Sequence, residues 1–223
     1  MSSHRRIAAL LSVMLLAAAC ADGAAPPETG VTEASGDHDH GDHAHADEDA
    51  AVPAGAGVVP SREGLGVAAL GQDADEALAA LEAAMGRPNT VTRWLPPEHS
   101  LWGRCPGKRV RGAKWGDLWV LFGEDTPLGE GRYLFGWMLG QAGVSGATGL
   151  RTAEGIGIGS TVAELRAAYG DRLELAPYEL GARFTVSAEG GQPATAEFGG
   201  VAAGTGDADP VRTLRGGLPC SAQ

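Results

Sequence analysis

Arg109-Val110-Arg111-Gly112-Ala113-Lys114-Trp115-Gly116-Asp117-Leu118-Trp119-Val120-Leu121-Phe122 is the stretch that decides the fold. Two strand-like runs flank Gly116-Asp117. Glycine at the first of two central positions is what a type II′ hairpin turn requires. A two-residue turn fixes the register of the strands it joins. In that register Ala113, Trp115, Leu118, Val120 and Phe122 share one face, and Gly112, Lys114, Trp119 and Leu121 share the other. The first set reads as core. The second puts Lys114 across from Trp119, within reach of a cation–π contact.

Working outward, a third run from Tyr133 to Leu139 extends the hairpin into a meander. Strict alternation places Tyr133, Phe135 and Trp137 on one face. If that face joins Trp119, then Lys114, Trp119, Tyr133 and Trp137 form an aromatic platform on the open side of the sheet, with the anchor chemistry of protein interfaces. The other reading buries these aromatics under loops such as Thr126 to Gly131. Both stay open. All five tryptophans (Trp94, Trp102, Trp115, Trp119 and Trp137) lie in this part of the chain.

Upstream, Asp73-Ala74-Asp75-Glu76 has the spacing of a helix capping box, Leu78, Leu81 and Met85 follow at helical spacing, and Gly86 stops the run. Thr161 to Glu164 repeats the box, Val162, Leu165 and Tyr169 repeat the stripe, and Gly170 repeats the stop. Leu81/Leu165, Met85/Tyr169 and Gly86/Gly170 are each 84 positions apart, the signature of an internal duplication. Strand-like runs follow the second helix at Arg183 to Ser187, Ala194 to Val201 and Val211 to Arg215. The expected fold is α+β, in two tandem units over 63–142 and 143–223, each a helix packed on an antiparallel sheet. A helix covers one face of such a sheet and leaves the other for solvent or a partner.

This order, occurring twice, resembles the β-lactamase-inhibitor-protein architecture and the SmpA/OmlA-type small lipoprotein domain. Gly157-Ile158-Gly159-Ser160-Thr161-Val162-Ala163-Glu164-Leu165 resembles the stretch that leads into the helix of those domains. The first copy departs from it, with Gln72-Asp73 where the second has Ser160-Thr161. The whole is similar to lipoproteins of unknown function from actinobacteria. The resemblance implies a binding role at the level of fold only.

The amino terminus gives an address. Met1 to Arg6 is basic, Ile7 to Ala19 is an apolar run of 13 residues, and Leu16-Ala17-Ala18-Ala19-Cys20 ends it. Thirteen residues are too few to cross a bilayer, which takes about 20. The grammar is that of a secretory signal over 1–19. Small residues before Cys20 resemble a bacterial lipobox, which implies cleavage before Cys20 and diacylglycerol on its sulfur. Leu16 stands one place further from the cysteine than the usual pattern has it. The expected location is the outer face of the cell membrane, or the medium if the lipobox is not used.

Residues 20–62 read as a disordered acidic tether. Asp22, Glu28, Glu33, Asp37, Asp39, Asp42, Asp47, Glu48 and Asp49 supply 9 of the 28 acids, with no Lys or Arg between Cys20 and Pro60. Such a segment cannot bury enough apolar surface to offset its ordering entropy. The formal charge of −11 argues against a nucleic-acid partner. Within the tether His38, His40, His43 and His45 alternate with carboxylates. His-x-His twice on a flexible chain is ligand chemistry for Zn²⁺, Cu²⁺ or Ni²⁺. The bland alternative is a solvated tract with incidental histidines.

With Cys20 lipidated, Cys105 and Cys220 remain, and an even pair in an oxidising compartment points to one disulfide. Two free thiols or a redox pair are the alternatives. No nucleophile elbow, zinc-protease helix or phosphate-binding P-loop is present. His99 beside Glu98 reads as a surface loop histidine. The function expected is non-enzymatic binding of a protein or cell-wall partner by a lipid-anchored envelope protein. Metal capture by the tether is the runner-up.

Overall fold

The computed structural model describes residues 55–140, 148–189 and 196–221. Cys20 and the four tether histidines lie outside the described residues. The elements run in the order α1 (Ala74–Met85), β1 (Thr90–Val91), β2 (Arg109–Trp115), β3 (Leu118–Thr126), β4 (Gly129–Leu139), α2 (Val162–Tyr169), β5 (Leu173–Tyr178), β6 (Gly181–Val186), β7 (Glu197–Ala202) and β8 (Val211–Gly217).

Both helices start and stop where the sequence places them. The Asp73 carboxylate accepts from the backbone N–H groups of Asp75 and Glu76 at 2.9 and 3.2 Å. Thr161 and Glu164 form a reciprocal capping box. Gly86 and Gly170 end the helices with φ of 77° and 52°, which a side chain would resist.

The architecture is a correction to the tandem α+β expectation. All eight strands form one antiparallel sheet in the order β1-β2-β3-β4-β8-β7-β6-β5. The described residues are mostly sheet, with two short helices, and they do not form two helix-on-sheet units. The join is between β4 and β8, where Gly136 pairs Gly217 and Trp137 pairs Gly216. Glycines let the strands meet there. A Cβ on Gly136 would stand 3.2 Å from the Gly216 carbonyl oxygen, and one on Gly216 would stand 2.6 Å from Trp137 Nε1. Pairing these strands removes two exposed sheet edges that separate units would carry.

One continuous core lies on the helix side. Ala74, Ala77 and Leu81 of α1 and Leu165 and Tyr169 of α2 pack with Trp115, Phe122, Phe184 and Leu214 of the sheet. Val58, assigned to the tether by composition, is 3% exposed and belongs to this core. The outer side carries a smaller cluster of Trp102, Cys105, Val110, Trp119, Leu121, Phe135 and Leu218. The loop after Pro97 and the carboxyl-terminal tail supply its cover, joined by the Cys105–Cys220 disulfide with Cα atoms 4.0 Å apart.

Candidate binding face

The first hairpin has the register read from its turn: Lys114 opposes Trp119, and Ala113 opposes Val120. Lys114 Nζ lies 5.5 Å from the Trp119 ring centroid. The next strand departs from strict alternation. Leu121 pairs Gly136 while Phe122 pairs Leu134, so Phe135 is an extra residue in β4. A β-bulge of this kind resets which side chains face which way. Phe135 joins the outer cluster, and Trp137 turns to the helix side, 1% exposed, with its indole N–H donating to the Ser61 carbonyl at 2.9 Å.

The expected four-residue platform is therefore divided. Lys114, Trp119 and Tyr133 stand on the outer side, Tyr133 opposite Gly123. Trp137 does not join them. Trp119 is 7% exposed, because Trp102 packs edge-on against it with ring centroids 5.0 Å apart. The Trp102 loop covers Trp119, and Leu128 of the Thr126 to Gly131 turn packs on the same outer cluster. Cys105 and Cys220 are bonded to each other.

The outer side of the other half of the sheet is different. Register carries one row across it from Met138 through Arg215, Gly199 and Thr185 to Glu174. A second row runs Thr213, Val201, Arg183 and Ala176. Glu174, Ala176, Tyr178 and Arg183 are exposed. The β5–β6 hairpin ends this surface with Tyr178 at 41% and Leu180 at 68% exposure. A groove of about 260 Å³ runs between Met138, Tyr178, Leu180, Arg183, Val201 and Thr213. The Arg183 guanidinium lies over the Tyr178 ring at 4.8 Å, and Arg215 pairs with Glu197 at 3.2 Å. The arrangement offers apolar contact beside two oriented guanidinium groups.

The sequence reading missed Tyr178, Leu180 and the strand that carries them. Pro177 and a half-exposed alternation disguise β5, although Pro is tolerated on an edge strand. The usable signal was Tyr178-Glu179-Leu180-Gly181, two large hydrophobics at a turn with nothing local to bury them.

A second cleft, about 460 Å³, opens on the helix side between Arg62, Glu63, Glu154, Tyr169, Arg172 and Glu189. Its polar groups are committed to the fold. Arg62 donates to the carbonyls of Val186 and Ala196. Arg172 pairs with Glu189 at 3.4 Å. The Tyr169 hydroxyl meets Thr152 Oγ1 at 3.2 Å and donates to Glu154 at 3.4 Å. Burial pushes the Tyr169 phenol up to about 12, and the Glu154 carboxylate adds to the rise. The phenol is thus neutral at physiological pH and is no base there.

The sign of its linkage follows. A raised folded pKa gives stability that is complete below the ordinary value near 10 and is lost as pH climbs through about 12. Tyr169→Phe is expected to cost roughly 1 kcal/mol at pH 8, from the lost hydrogen bonds of its hydroxyl with Thr152 and Glu154. That gap should shrink between pH 10 and 12, where only the wild type titrates. Urea midpoints of both proteins at pH 8, 10 and 12 check this, and a constant gap contradicts it.

Among the described residues no group of three or more His, Cys, Asp or Glu is placed to hold a metal ion. No helix among them is long and apolar enough to cross a membrane. Compared with protein-family models, with curated proteins and with solved structures, the chain matches none.

Proposed function

We infer that this chain is an exported, lipid-anchored binding protein that takes a protein partner of the cell envelope on the outer face of β8, β7, β6 and β5. Cys20 carries the anchor, and the acidic segment after it sets the folded part off from the bilayer. The observation that carries the reading is the exposed hairpin Tyr178 to Gly181 beside Arg183, at the end of a sheet surface on which Glu174 and Ala176 are also exposed. Tyrosine and arginine flanked by aliphatic side chains are the chemistry of protein hot spots. This face replaces the platform expected around Trp119 and Trp137.

The test is a double variant, Leu180→Glu with Arg183→Glu. Both side chains are exposed, so stability should change by no more than about 0.5 kcal/mol per site. Partner recovered from cross-linked intact cells should fall at least about tenfold, the effect of losing one modest hot spot. Undiminished recovery sinks the assignment of this face. Divalent-metal capture by His38, His40, His43 and His45 is a second reading, which rests on their spacing alone. Deleting residues 37–45 separates the two: metal uptake is lost and partner recovery is kept.

A further inference from the structure

The outer cluster around Trp119 is closed by a cover with an unusual set of attachments. The edge of the Trp102 indole lies over Gly112, in space that a Cβ at Gly112 would occupy. The segment around it is bonded to itself. The Ser100 hydroxyl donates to the Gly103 carbonyl and accepts from Trp102 N–H at 3.3 Å, and its oxygen lies 3.7 Å from Cys105 Sγ. Its backbone link to the rest of the chain is to the carboxyl-terminal tail. Arg104 N–H donates to the Ser221 carbonyl at 2.9 Å, and Ser221 N–H returns a bond of 3.0 Å to the Arg104 carbonyl. The disulfide joins the same two segments. The tail is in turn held to β4 by Leu218 N–H donating to the Phe135 carbonyl at 2.8 Å. Gly103 and Gly107, at φ of 89° and 102°, flank Arg104 to Pro106 with backbone conformations that side chains disfavour.

One feature works against closure. The Trp102 indole N–H is buried and finds no acceptor among the described residues. A buried donor without a partner has given up water and received nothing in exchange. Opening the cover would rehydrate it. The closed position is therefore held by apolar contact and by the tail, and the tail is fastened by one covalent bond.

We propose that Ser100 to Gly107 is a redox-released lid: reduction of Cys105–Cys220 lets the Trp102 loop swing off the sheet and adds Lys114, Trp119 and Leu121 to the exposed outer face. The row that starts at Lys114 and Trp119 runs on through Met138 to Arg215, so the uncovered strip continues directly into the open half. The chemistry is thiol–disulfide exchange with a dithiol reductant. One thiolate of the reductant attacks a cystine sulfur and forms a mixed disulfide. Its second thiolate then displaces the remaining cysteine. Two electrons and two protons end on Cys105 and Cys220 as thiols, and the reductant leaves as its own disulfide. The proposal concerns the cover itself and does not depend on the partner reading.

Hydrogen exchange on the full chain, oxidised and after treatment with dithiothreitol, tests it. Amides of Leu101 to Cys105 and of Leu218 to Ser221 should exchange at least about tenfold faster in the reduced protein, as a locally opening unit does. Strands β2 to β4 and helix α1 should remain more protected than these segments, their exchange quickening only with the drop in global stability that loss of the bridge brings. With the bridge intact, Gly112→Ala should evict Trp102 and raise its accessibility to acrylamide, read against the same variant carrying Trp102→Phe. Unchanged exchange in the lid after reduction would overturn the proposal. Equal protection in the lid and in strands β2 to β4 after reduction would also overturn it, because the lid would then open only when the whole sheet does. A Trp102 that stays shielded in Gly112→Ala would count against it equally.

Discussion

Truncating Trp137 to alanine should lower the free energy of unfolding by about 3–5 kcal/mol, the usual cost of deleting a large aromatic from a packed core. The residue is 1% exposed and sits at the centre of the helix-side core, 6.1 Å from the Phe198 ring centroid. The variant loses that packing and leaves the Ser61 carbonyl without its 2.9 Å donor, which adds to the cost. It also opens the β4–β8 seam, where the indole lies against Gly216 in place of a side chain. Urea unfolding of wild type and variant reads the difference. Tyr133→Ala is the control: Tyr133 is half-buried on the outer side, so its loss should be clearly smaller. A Trp137→Ala penalty below about 1 kcal/mol would mean that the indole faces outward and that the bulge at Phe135 is misplaced.

Replacing Cys105 and Cys220 together by serine should lower stability by about 4–5 kcal/mol in the chain-entropy account, because the bridge closes a loop of 115 residues. The effect acts mainly on the unfolded chain, which gains the freedom that the cross-link removes. A domain of this size has about 5–15 kcal/mol in hand, so the variant should still fold at neutral pH. The denaturant midpoint should drop, and the urea slope should rise somewhat, because the unfolded chain without the cross-link exposes more surface while the folded sheet is the same. The expected size is an upper value where the unfolded state is compact. An unchanged midpoint would show that the bridge contributes nothing to folding.

The local signals in this sequence were legible because each rests on short-range chemistry. Asp73 and Thr161 are caps, Gly86 and Gly170 are stops, and Gly116-Asp117 fixes a hairpin register that the structure reproduces residue for residue from Arg109 to Phe122. The departures come from long-range pairing. Nothing near Phe135 announces a bulge, yet one added residue sends Trp137 to the opposite face of the sheet. Gly216 and Gly217 read as the end of a strand by propensity, whereas they are the surface on which β8 joins β4. That join turns two apparent repeats into one sheet. The candidate face was less visible still. It is assembled from β5, β6, β7 and β8, which are scattered along the chain, with Met138 of β4 at its side, and its lining includes Gly200. Trp119 was correctly placed beside Lys114, but its cover arrives from a segment with no periodicity of its own.

Placing a photoreactive amino acid at Val201, in the middle of the open rows, puts the central claim to its most direct trial. A matching probe at Val91, on the short opposite edge strand, is the comparison. Illumination of intact cells should attach the Val201 probe to one envelope protein of defined mass. That adduct should vanish when Leu180→Glu and Arg183→Glu are added, and the Val91 probe should not form it. Equal capture by both probes, or no discrete adduct from Val201, would contradict a partner seated on the outer face of β8, β7, β6 and β5.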